Sequence, residues 1–252
     1  MKFKFTFSPF NIAKYLTFGV IFLTICSIAI QIGKYVFDYR ADWTRLFNLD
    51  REMNIPTWYS GLMLISCGLI IRGIYSAKKA ESDRFSRQWK ILSIIFFVLA
   101  LDEIVSIHEI LIIDDLADAL NLPSFWHSVW VIPGTILVAI FIWKYWRFIR
   151  YLPKPLRRYF LIALSLYVGG ALGMEKVGGY YDGIDGQQNL VYAMLATIEE
   201  VMEMMGCVVF IYGFLTYLGE LNPEIQVNFY IKNKNYLLKK ESEYRSQESV
   251  EK

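Results

Sequence analysis

Acids stand in this chain where acids are costly. One apolar stretch reads LALDEIVSIHEILII and carries Asp102, Glu103, His108 and Glu109, with Ser106 among them. Another reads MLATIEEVMEMMGCVVF and carries Glu199, Glu200 and Glu203. A third, YVGGALGMEKVGGYY, adds Glu175, and His127 opens a further apolar run. Carboxylates and imidazoles in such surroundings ligate metal ions, relay protons or cations, or titrate as a switch. At 100° per residue, Asp102, Ser106 and Glu109 fall within about 60° of arc, so one continuous helix would present them together. Glu103 borders that face, and His108 points away from it. Glu199 and Glu203 are one turn apart on a face with Ala196 and Gly206, where small residues let a partner backbone come close. Glu175 shares its face with Ala171 and Gly178.

The elements that must hold these groups are membrane helices. Of 252 residues, 55% are hydrophobic and 17% aromatic, against roughly 45–50% apolar in soluble domains. Six runs are apolar and long enough to cross a hydrocarbon core, which takes about 20 helical residues. They predict helices over 12–36, 57–76, 88–113, 127–149, 157–181 and 188–219 in an all-α polytopic bundle. The run from Ile12 to Val36 exceeds a signal-peptide core and lacks a small-residue cleavage pattern, so it is expected to remain as a helix. Pro56 suits a first helical turn. Pro153 and Pro155 separate the fourth and fifth helices, and Gly183 and Gly186 the fifth and sixth, with DGIDG at 182–186 read as a turn. Residues 1–220 are expected to form the membrane domain. Residues 221–252 are polar, rich in Ser, Glu and Lys, and expected to be a disordered tail.

Lys and Arg set the expected orientation. They crowd the second connection (Lys78, Lys79, Arg84, Arg87, Lys90), the fourth (Lys144, Arg147, Arg150, Lys154, Arg157, Arg158) and both ends, while 114–126 and 182–188 have none. Basic loops stay inside, so both termini are expected in the cytoplasm. The loop 37–55 departs from this pattern, with Arg40, Arg45 and Arg51 set among Asp38, Asp42, Asp50 and Glu52. Either a short interfacial helix, with Trp43, Leu46 and Phe47 on the membrane, or a solvated loop fits it. Trp126, Trp130, Trp143 and Trp146 fit interfacial belts at the two ends of the fourth helix.

With this orientation the acids fall into two tiers. At 1.5 Å per residue, Glu109 and Glu175 lie roughly 6 and 9 Å below the outer ends of their helices, and Asp102, Glu199 and Glu203 roughly 17, 17 and 23 Å. His108, Glu109, His127 and Glu175 would form an outer tier. Asp102, Glu103, Glu199, Glu200 and Glu203 would form a mid-membrane tier. One ionised group at the bilayer centre costs at least ~2.5–3.5 kcal/mol, and the only basic groups near are Lys176 and Arg72. The acids must therefore share protons or meet a cation. The first reading is a divalent metal (Fe, Mn or Zn) held by Asp102, Glu103, His108, Glu109, Glu175, Glu199, Glu200 and Glu203, with His127 and Ser106 as further candidates, and with chemistry at the metal left open. The second is a proton or cation relay, the third a non-catalytic membrane partner or sensor. Carboxyls bonded to Ser106, Tyr192 and tryptophans as helix glue are the inert alternative.

The remaining features carry less. The Glu and His spacing departs from the Glu-x-x-His pairs of di-iron bundles. Cys26, Cys67 and Cys207 are scattered and read as apolar filling. Gly169 and Gly173 make a GxxxG pair fit for helix packing. Ser106 and His108 do not face each other on a helix. Basic residues at 144–158 fit an anionic lipid surface and not nucleic acid. The expected partners are the bilayer and a second copy or another membrane protein.

The segments LDEIVSIHE, WVIPG, YVGGALGMEKVGGYY and TIEEVMEMMG together resemble a widespread family of bacterial multi-pass membrane proteins of unknown function, over about residues 55–220. That resemblance implies a polytopic inner-membrane protein and brings no activity with it.

Overall fold

A computed structural model describes residues 8–107 and 131–221. Every long element among them is helical. They are α1 (Pro9–Val36), α2 (Ile55–Ala80), α3 (Ser86–Val105), α4 (Val131–Tyr151), α5 (Lys154–Val168), α6 (Glu175–Asp185) and α7 (Leu190–Leu221). A short 3-10 helix, Asp42–Phe47, follows α1, and a π-helical turn, Gly169–Met174, joins α5 to α6. Five helices are long and apolar enough to cross a membrane, α5 through α6 counting as one of 32 residues. The exception is α3, which carries Arg87, Lys90, Asp102 and Glu103.

Local chemistry sets most boundaries. The Ser8 side chain caps α1, and Asn54 Oδ1 accepts from Thr57 N at the start of α2, just before Pro56 in the first turn. Pro153 stops α4 and leads into α5. Asn189 Oδ1 accepts from Tyr192 N and so opens α7.

Three expectations need correction. The predicted helix 88–113 ends at Val105, because Ser106 takes a left-handed conformation (φ 53°, ψ 47°). DGIDG is not a turn throughout: α6 continues to Asp185 and stops only at Gly186, whose φ of 71° suits glycine. The loop 37–55 is neither a plain interfacial helix nor a plain solvated loop. It forms the 3-10 helix and then folds inward, burying Asn48, Leu49 and Asn54.

The bundle has two unlike ends. At one, α2 meets α3 and α4 meets α5. There Tyr151 Oη donates to Asp83, Lys78 lies over the Tyr217 ring, and Trp89 stacks on Tyr217. Trp89, Phe96, Phe148, Phe160, Phe210 and Phe214 fill this half with edge-on and stacked rings. At the other end lie the loop after α1, the end of α3 and the α6–α7 connection. Large apolar side chains such as Phe22, Leu69, Val98, Leu137 and Trp143 point outward, as lipid-facing residues do.

Among the described glycines, the closest approach to a neighbouring helix's backbone joins the α5–α6 segment to α7. A Cβ built on Gly170 would lie 2.8 Å from Glu199 O and 2.7 Å from Glu203 Cγ, and one on Gly206 would lie 2.9 Å from Tyr167 N. Gly206 does admit a partner backbone, as its small-residue face predicts. The expected Gly169–Gly173 pair is not the seam, since Gly173 has nothing within 4 Å of such a Cβ. The three cysteines are free and at least half-buried, consistent with space filling.

These contacts rank the glycines. G170A and G206A should each lower the thermal midpoint of the purified protein in detergent, by the equivalent of about 1–3 kcal/mol. G173A should leave it unchanged or slightly raised. Equal midpoints for all three would contradict the seam.

Candidate functional site

The π turn matters to the site because it inserts one residue into the helical ladder just before Glu175. It also lays the bare backbone of Gly170 against α7 at Glu199 and Glu203. Glu175 and Glu199 thereby come within hydrogen-bonding reach of each other.

Acids from separate elements line one cavity of about 780 Å³. Asp102 and Glu103 come from the last turn of α3, Glu175 from α6, and Glu199, Glu200 and Glu203 from α7. Ala171, Ala196, Tyr167 and Tyr192 complete the wall. The two expected tiers are not separate, since Glu175 and Glu199 meet. His108, Glu109 and His127 lie outside the described residues. Ser106 lines the cavity too, but as the turn that ends α3, its Oγ donating to Glu52 Oε2 at 3.1 Å.

The roof is the part that sequence reading missed. Leu49, Asp50, Arg51, Glu52, Met53 and Asn54 cover the chamber, with Arg45 beside them. The polar pair Ser27 and Gln31, one turn apart on α1, holds this roof. Ser27 Oγ accepts from Leu49 N at 3.0 Å, and Gln31 Nε2 donates to Asn48 Oδ1. Asn54 Nδ2 donates to Asn48 O at 2.6 Å and Arg51 O at 2.7 Å. Thr57 Oγ1 and Ser106 Oγ both reach Glu52 Oε2, which ties the roof to α2 and α3. One signal was available in the sequence: four acids and three arginines in a short loop that otherwise breaks the charge pattern.

The expected basic partner Arg72 stands away from the chamber, stacked on Tyr75. Among the described residues no three His, Cys, Asp or Glu side chains form a group able to hold one metal ion. The donors surround a space and do not close on a point.

Asp50, in the roof, titrates abnormally. Burial pushes its carboxyl above the usual range, and the nearby Lys34 and Arg51 charges and a Gln31 hydrogen bond offset this in part. With the folded pKa above the unfolded value, the folded state binds more protons. Asp50 ionisation thus costs stability at neutral pH, and the cost is relieved as pH falls through the raised pKa. D50N keeps an acceptor for Gln31 and removes the charge. Its thermal midpoint should exceed that of the wild type at pH 7, with the gap closing toward pH 4. A constant gap, or a lower midpoint at pH 7, would contradict this burial.

Comparison with curated proteins and with solved structures yields no match. A family model described as a domain of unknown function (DUF8692) matches residues 15–218. The glycine seam and the acid chamber fall within those limits, and the chain belongs to the DUF8692 family.

Proposed function

We propose that the chain is a cation-binding protein of a bacterial plasma membrane, with the acid chamber as its binding site. It crosses the bilayer six times, α3 supplying the crossing that hydropathy alone does not nominate, and both termini are cytoplasmic. Support for this orientation comes from Lys78, Lys79, Arg84, Arg87 and Arg150, which gather at the aromatic end of the bundle. The chamber then opens on the outer side.

One observation carries the reading: Asp102, Glu103, Glu175, Glu199, Glu200 and Glu203, from three helices, line one cavity. Carboxylates brought together at membrane depth repel one another and lose hydration, and a bound cation relieves both costs. Oxygen donors favour Mn²⁺ among the transition metals first considered, over the more nitrogen- and sulfur-seeking Zn²⁺. Their spread around a space of about 780 Å³ suits a cation that keeps part of its hydration shell, or a larger one.

The relay reading is less well supported. On α7 beyond Glu203, Met204, Cys207, Phe210, Ile211 and Phe214 are all buried. Together with Phe96 and Phe160 they form an apolar floor, so the chamber is a dead end and not a path.

The test is titration of purified protein with Mn²⁺, followed by equilibrium dialysis and metal analysis. The wild type should bind stoichiometrically, and E199Q or E203Q should weaken binding by about tenfold or more. Protons compete for the same oxygens, so affinity should fall as pH is lowered from 8 to 5. No bound Mn²⁺, or equal binding by wild type and both variants, would refute the reading.

A further inference from the structure

Sulfur side chains gather on two helices below the acid chamber. Met63 and Cys67 lie one turn apart on α2, and Met204 and Cys207 close to one turn apart on α7. Met63 is 2% exposed and the other three 0%, while every other described methionine, and Cys26, is at least partly exposed. The Cys67 thiol donates to Cys207 O at 3.9 Å, so it points across the helix interface at α7. Further along, a Cβ on Gly73 would lie 3.4 Å from Leu218 Cδ2, so the two helices run parallel. Each methionine therefore stands on the chamber side of its cysteine, by roughly 4.5–6 Å, and within about 60° of it around the helix axis. All of them belong to one packed cluster. Glu203, the deepest chamber acid on α7, directly precedes Met204.

A buried methionine or cysteine alone is ordinary filling. Filling does not require every fully buried sulfur among the described residues to fall at one level of one helix pair. Thiolate and thioether sulfurs are soft donors that hold Cu⁺, whereas the carboxylates above them are hard donors suited to other cations. An uncompensated charge is costly in an apolar interior. A Cu⁺ ion that takes the place of one thiol proton leaves the net charge unchanged, and thioethers add donors that carry no charge. We propose that Met63, Cys67, Met204 and Cys207 form a Cu⁺ site between α2 and α7. One thiol releases its proton to water as the metal–sulfur bond forms, and the metal keeps its oxidation state. The site shares no residue with the oxygen-lined chamber and does not rest on that chamber's binding a cation.

The experiment uses the full chain in nonionic detergent under nitrogen. Cu⁺, kept reduced by excess ascorbate, is the probe, and competition with the coloured bicinchoninate complex reads its affinity. The wild type should bind a single Cu⁺ per chain, and its thermal midpoint should rise with the bound ion. C26A should bind in the same way, because Cys26 lies outside the cluster. C67S/C207S should bind none. M63L/M204L nearly conserves volume and keeps both thiols. Its metal-free midpoint should match the wild type while its Cu⁺ affinity falls by about tenfold or more. E199Q/E203Q should bind Cu⁺ as the wild type does, which separates this site from the chamber. X-ray absorption at the copper edge should show sulfur neighbours alone.

Several results would overturn it. The wild type takes no Cu⁺ from bicinchoninate, or C67S/C207S binds as tightly as the wild type. C26A abolishes binding, or the absorption spectrum shows oxygen or nitrogen neighbours. Should C67S/C207S fail to fold, M63L/M204L decides: an affinity equal to that of the wild type means that the methionines are filling and the site does not exist. If Mn²⁺ binds while Cu⁺ does not, only this inference fails, and if Cu⁺ binds in the manner described while Mn²⁺ does not, only the chamber reading fails.

Discussion

Carboxyl groups from separate helices must here be kept close together without water in excess and without hydrocarbon against them. That constraint shapes the bundle. Lipid cannot compensate such groups, so they have to face an interior space, and the helices around the space must be held apart at that level while packed tightly elsewhere. The chain does this with a hinge in packing density. Gly170 and Gly206 bring the α5–α6 segment hard against α7, and the π turn beside Gly170 places Glu175 next to Glu199. On the far side of Glu203, aromatic rings close the interior.

The roof follows from the same constraint. A chamber lined with acids needs polar groups over it, and a loop with a buried backbone needs partners for its N–H and C=O groups. Ser27, Gln31, Asn48 and Asn54 supply them. Glu52 completes the arrangement by receiving hydroxyls from α2 and from the end of α3. The loop belongs to the site as much as the helices do.

Much of this was legible in residue order. Hydropathy located the long helices because lipid demands apolar length, and Pro56, Pro153 and Gly186 marked ends through backbone chemistry. The convergence of Asp102, Glu103, Glu175, Glu199, Glu200 and Glu203 could be read from cost alone, since isolated acids would not survive at that depth. What could not be read was set by tertiary contact. The left-handed Ser106 is bonded to Glu52, 54 residues away in sequence. The choice of Gly170 over Gly173 as the seam depends on the π turn, which has no strong sequence signature. Asp50 and the roof were hidden because a charged loop between helices looks solvated until buried Ser27 and Gln31 are seen to bind it.

The central claim is that acids on α3, α6 and α7 share one chamber entered from outside. Single cysteines at Glu175 and Glu203, in a C26A background with Cys67 and Cys207 buried, test it directly. Intact cells are treated with a membrane-impermeant thiol reagent, with a lipid-soluble maleimide and denatured protein as references. The account predicts that E175C and E203C both react with the impermeant reagent, E175C faster. Both positions unreactive to it, yet labelled by the lipid-soluble maleimide, would mean that these side chains face lipid, and the chamber would be refuted.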